Sequence, residues 1–146
     1  MTLTLQSPHL QLIIDPQTAT WSLYSPKPDG PSLDGVSQYV RYRRRHKKYR
    51  LLTKWPQPKI SQEKVDSSLH GPMQQASLEI GPDIHDLRYT LTYALPDQHP
   101  LMLWKLTINH QGSKPIHIKH IEMLSAGFFK KKRRLPQAGP VLVNFS

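Results

Sequence analysis

Residues 40–50 read VRYRRRHKKYR, and the spacing of their few uncharged side chains decides how the chain folds. Val40 and Tyr42 alternate with Arg41 and Arg43, the period of a β-strand, in which successive side chains point to opposite faces. Beyond His46 the alternation resumes, with Tyr49, Leu51, Thr53 and Trp55 on one face of a strand over 48–55. The stretch is therefore expected to be a hairpin of strands 36–43 and 48–55, its solvated tip at Arg44-Arg45-His46. Seven of its eleven residues are Arg or Lys, so one face of the hairpin is cationic. Cations on exposed strands discourage edge-to-edge pairing, and long Arg and Lys stems cover apolar surface while their charges stay wet.

The same period runs through the rest of the chain. Fourteen prolines and seven glycines leave little room for long helices, because each proline removes an N–H and blocks the preceding turn. Thr2–Leu5 alternates, and residues 9–24 read as a hairpin around Asp15-Pro16-Gln17-Thr18, with Asp and Pro at the positions a type I turn favours. Three prolines and two glycines make 25–35 a loop, and the polar stretch 56–72 reads as an irregular connection with one short strand at most. Strands are then expected over 73–80, 86–95, 101–110 and 115–124. Eight or so strands with hairpin-length links imply an all-β chain, an antiparallel β-sandwich with little or no helix. The pattern changes after Gly127, so residues 1–127 are expected to form the sandwich and 128–146 a basic C-terminal segment, a final strand or a linker.

A chain of 146 residues suits one domain and can remove roughly 70% of its unfolded surface from water. It has no cysteine, which excludes disulfides and thiolate metal sites. Its longest aliphatic or aromatic run, Leu101–Trp104, is far below the ~20 residues of a membrane-spanning helix, and MTLTLQSPHL lacks the regions of a secretory signal. A cytoplasmic protein with no membrane partner is the expectation. The formal charge of +10 is concentrated in two runs. Arg41, Arg43, Arg44, Arg45, Lys47, Lys48, Arg50 and Lys54 form the first, and Lys130, Lys131, Lys132, Arg133 and Arg134 the second. The seven remaining cations face ten acids, so the rest of the chain is mildly acidic.

Residues 79–124, EIGPDIHDLRYTLTYALPDQHPLMLWKLTINHQGSKPIHIKHIEML, carry a family resemblance. A strand, the acidic hairpin Leu95-Pro96-Asp97, a strand ending at Asn109, a turn at Gly112, and Pro115–Leu124 follow in the order seen in one family of sugar enzymes. The stretch resembles the N-terminal β-supersandwich of α-galactosidase-type glycoside hydrolases of family 36. The opening IIDPQTATWSLYS resembles that family's first hairpin, and Gly139–Ser146 the segment before its catalytic barrel. The resemblance implies a galactose-mutarotase-like supersandwich and a role in carbohydrate-enzyme assembly. The family's catalytic carboxylates lie on a barrel that has no counterpart in these residues, so no catalytic residue carries over.

The residues themselves agree that glycoside chemistry lacks its acids. Asp83 and Asp86 are close in sequence, but Asp83 follows Gly81-Pro82 and reads as a solvated turn acid. His117 and His120, three apart, would point to opposite faces of a strand, which argues against a metal site. Trp21, Trp55 and Trp104 lie in alternating strands and are expected in the core, although an exposed tryptophan would suit sugar stacking. No catalytic, cofactor or metal residue is assigned. The expected function is a non-catalytic sandwich whose partners are a second copy of the chain or a catalytic barrel, with carbohydrate a candidate ligand. The alternative is polyanion or nucleic-acid binding through Arg41, Arg43, Arg44, Arg45, Lys47, Lys48, Arg50 and the run 130–134, with Tyr42 and Tyr49 available to stack on bases.

Overall fold

The computed structural model describes residues 2–51, 57–126 and 141–145. They form an all-β chain of two sheets packed face to face. The first sheet joins β1 (Leu3–Gln6), β2 (Gln11–Asp15), β3 (Thr20–Tyr24), β4 (Ser32–Arg44) and β10 (His117–Ala126) in that order, and β5 (Lys47–Leu51) pairs with β4. The second runs β11 (Val141–Phe145), β9 (Leu103–His110), β8 (Leu87–Pro96), β7 (Gly71–Ile80), β6 (Lys59–Ser67). All pairings are antiparallel except that of β11 with β9, which is parallel. Among the described residues no helix is long and apolar enough to cross a membrane.

Alternation accounts for the layering. Leu12, Ile14, Trp21, Val36, Val40 and Tyr42 turn inward from the first sheet, and Leu78, Leu91, Tyr93, Trp104 and Leu106 meet them from the second. Each such side chain withdrawn from water contributes about 1.5–3 kcal/mol before entropy is charged against it. The Trp21 ring lies 5.7 Å from that of Trp104 and 6.3 Å from that of Tyr93, tying the layers together. Both tryptophans are buried as the alternation implies, and neither ring is open to a sugar; Trp55, like Thr53, lies outside the described residues. A buried polar contact crosses the layers at their centre, the Tyr93 hydroxyl donating to Gln38 Oε1 at 3.2 Å. The Asp15 turn forms as its residues dictate, Oδ1 accepting the amides of Gln17 and Thr18, and those bonds hold the carboxyl below its ordinary range.

Three expectations give way. Residues 59–67 form the nine-residue strand β6, paired with β7 along its whole length, rather than an irregular connection. Its polar sequence is that of a sheet edge, mostly exposed on both faces, which a search for buried alternation misses. The loop over 25–35 ends early, because β4 begins at Ser32 and absorbs Gly35 at φ +58° where the register with β3 shifts. Finally, His117 and His120 share a face: a bulge at Lys119 sets His117 opposite Arg43 and His120 opposite Arg41. One extra residue reverses the phase of a period-two strand. Among the described residues there is nonetheless no group of three or more side chains suited to hold a metal.

Candidate functional site

β4 is the axis of the basic region, with β5 on one edge and β10 on the other. Val40 and Tyr42 are buried while Arg41 is exposed and Arg43 half-buried, so the opening stretch is the two-faced hairpin its spacing implies. Register fixes which side chains meet on the outer face. Lys48, Arg43 and His117 form one row across the three strands, and the backbones of Arg50, Arg41 and His120 form the next. Arg41, Arg43, Lys48, Lys119 and His120 line a concavity of about 500 Å³ there.

Like charges opposite one another on paired strands repel, by about 1 kcal/mol per pair at the dielectric of water and more where partly shielded. Little on this face offsets that repulsion. No acid lines the concavity among the described residues. Glu122, in the next row, is engaged by the Tyr39 hydroxyl at 2.7 Å and by His120 Nε2 at 3.2 Å. The Tyr39 bond, then His120, holds its carboxyl below the ordinary range. Arg41 stands 5.6 Å from the centre of the Tyr39 ring, a cation–π contact that leaves its charge in place. The Nε of Arg43 is buried without a hydrogen-bond partner.

The inner face of the same hairpin holds a different constellation. The Tyr42 hydroxyl lies 2.6 Å from His85 Nδ1 and donates to Asp83 Oδ2 at 3.2 Å. Asp83 Oδ1 accepts the amides of His85 at 2.8 Å and Leu87 at 3.0 Å, so the turn after Gly81 is folded around this carboxylate. Gly81 is required: at φ +110° a Cβ would stand 2.6 Å from the Leu87 carbonyl oxygen. Asp83 is thus a half-buried organiser of its turn instead of a solvated acid. Tyr49 stacks on Tyr42 at 5.2 Å and meets the His85 ring edge-on at 4.5 Å. Burial, then the Asp83 charge, pushes the Tyr42 phenol well above its ordinary range and keeps it protonated.

The basic run is therefore divided. Arg41, Arg43 and Lys48 serve the outer concavity, whereas Arg44, Arg45 and Lys47 line a second hollow of about 330 Å³ with Tyr49 and His85. Arg45 forms the hairpin tip with His46, at φ +57°. The backbone of Arg50 pairs with that of Arg41, and Lys54, Lys130, Lys131, Lys132, Arg133 and Arg134 lie outside the described residues. Lys119 and His120 were missing from the sequence-based site because the Lys119 bulge has no signature in composition. Asp83 and His85 were missing because only folding brings them to Tyr42, some forty residues away.

No family model, no curated protein and no solved structure matches the chain. The site must therefore be read from its own chemistry.

Proposed function

We propose that the chain is a non-catalytic binding module whose outer β4–β5–β10 face takes a polyanion, with nucleic acid the expected partner. The observation that carries this reading is the gathering of Arg41, Arg43, Lys48 and Lys119 around one concavity that no acid lines among the described residues, with Lys48 and Arg43 directly opposite each other across β4 and β5. A sheet that sets like charges opposite one another, as at Arg43 and Lys48, stores repulsion that a phosphate chain relieves, with release of the counterions it had condensed. The unpartnered Arg43 Nε gains an acceptor in the same event. Retention on heparin that falls with rising salt, together with salt-dependent binding of an unpaired oligonucleotide, is the expected result. Passage through heparin without retention at about 100 mM salt, well within the range where phosphate contacts dominate, removes the proposal.

The second reading is an accessory sandwich of an α-galactosidase-like enzyme, supported by the antiparallel two-sheet architecture that the resemblance of residues 79–124 implies. It calls for association with a second copy or with a catalytic barrel. The large apolar side chains exposed among the described residues, Leu69 and Ile84, stand in separate turns and make no contiguous patch. Light scattering distinguishes the readings: a monomer that binds oligonucleotide favours the first, and a dimer unaffected by heparin the second.

A further inference from the structure

The hollow beneath the hairpin tip adjoins another. Arg44 and His85 line both the 330 Å³ hollow and a neighbouring one of about 220 Å³, whose other walls include Asp86, His110, Gly112 and Lys114. Together they make a groove across the end of the sandwich, where the β4–β5 tip meets the turns at 81–86 and 110–114. Its two halves differ in chemistry. One offers the half-buried Tyr49 ring, held flat by its stack on Tyr42 and its edge contact with His85. The other is polar, with the cations Arg44 and Lys114 on its walls and a carboxylate at Asp86. Among the described residues neither Arg44 nor Lys114 is engaged in an ion pair.

We infer that this groove binds a nucleotide, the base lying against Tyr49, a sugar hydroxyl donating to Asp86, and the phosphate held by Arg44 and Lys114. An aromatic face accepts any planar base, a carboxylate is the natural acceptor for a sugar hydroxyl, and a guanidinium matches phosphate oxygens in pairs. The hydrogen bonds that Asp83 and Tyr42 make around His85 fix the shared wall before a ligand arrives. Gly112 keeps the polar half open, since a Cβ there would come within 2.8 Å of His110 Nε2 and 3.4 Å of Asp86 Oδ2. The same chemistry is presented by a free mononucleotide and by the 5′-phosphorylated end of an unpaired strand. The groove lies on the opposite face of the hairpin from the cation rows and does not depend on them.

The test is titration of the intact chain with adenosine 5′-monophosphate and with inorganic phosphate, followed by calorimetry and by chemical-shift changes at Tyr49 and His85. The monophosphate should bind at least about tenfold more tightly than inorganic phosphate, the scale of one stacked ring. Arg44→Ala should weaken it about tenfold or more, as loss of a charge-assisted hydrogen bond does. Gly112→Ala should weaken it while leaving the unfolding temperature within a few degrees of the parent. Arg43→Ala/Lys48→Ala, on the other face, should leave it unchanged, so failure here and failure of the polyanion reading are separable. A 5′-phosphorylated oligonucleotide that displaces the monophosphate where its 5′-hydroxyl counterpart does not identifies a strand end as the source; displacement by neither identifies the free nucleotide. Equal affinity for the two small ligands, no saturable binding, or folded Arg44→Ala with undiminished affinity overturns the inference.

Discussion

Replacing Arg43 and Lys48 together by alanine removes two of the four permanent cations, Arg41, Arg43, Lys48 and Lys119, that line the outer concavity. If each neutralises one phosphate of an unpaired strand, log K against log salt has a slope of about −2.8 for the parent and about −1.4 for the variant. Between about 50 and 200 mM salt those slopes amount to an affinity loss of about 50-fold for the parent and about sevenfold for the variant. Fluorescence anisotropy with a labelled oligothymidylate at four or five salt concentrations measures both. Lys48 is exposed and neither residue forms an ion pair among the described residues, so stability should change by about 0.5 kcal/mol or less. Relief of cross-strand repulsion would shift even that small change towards stabilisation. Parallel lines, with the variant weaker by a constant factor and the same slope, would refute phosphate neutralisation by these side chains.

Other perturbations probe the scaffold. Tyr42→Phe deprives His85 Nδ1 and Asp83 Oδ2 of their shared hydroxyl and should cost about 1–3 kcal/mol, lowering Tm by about 2–12 °C in calorimetry. The phenols of Tyr42, Tyr89 and Tyr93 are all pushed up, chiefly by burial, so their contribution to stability is intact below about pH 10, where unfolded tyrosines begin to ionise, and declines above it. Ultraviolet titration should show these three ionising together with loss of structure, and their free ionisation in the folded chain would contradict the packing. Tyr93→Phe alone strands Gln38 Oε1 and should destabilise by about 1 kcal/mol, whereas Tyr93→Phe with Gln38→Leu should be close to neutral by denaturant titration. Arg45→Gly should raise Tm by about 2–4 °C, since glycine accepts φ +57° without the cost an L side chain incurs there.

What could be read ahead of the structure was whatever depends on neighbouring residues. The two faces of VRYRRRHKKYR follow from a period of two, and burial of Val40 and Tyr42 beside exposed Arg41 is that period made physical. The Asp15 turn is similarly local, its side chain bonding amides two and three residues on. β6 was not legible, because an edge strand buries too little to impose alternation on Lys59–Ser67. Gly35 read as a breaker but serves as a hinge within β4, since φ +58° suits a bulge as well as a loop. The faces of His117 and His120 were misassigned for a related reason: nothing in IHIKH marks Lys119 as the residue that has no partner on β4.

The bulge also explains why the cation rows exist. Without it, a strand carrying His117 opposite Arg43 would continue in phase, and the residue opposite Arg41 would be Lys119, with His120 turned inward against Val40. A buried imidazole would then displace Ile121 from the core, at the cost of one well-packed aliphatic side chain and an unsatisfied polar group. Inserting Lys119 as the extra residue keeps Ile118 and Ile121 on the apolar side opposite Tyr42 and Val40, and leaves Lys119 in the concavity together with His120. Core packing and outer charge are thus fixed by one register shift. Deleting Lys119 should therefore remove its charge and the bulge but keep the phase, because His120 stays opposite Arg41 and Ile121 opposite Val40, so Tm should stay within a few degrees of that of Lys119→Ala. A deletion variant far less stable than Lys119→Ala would show that Lys119 is not the residue left outside the pairing, and that the outer array is not held by this register.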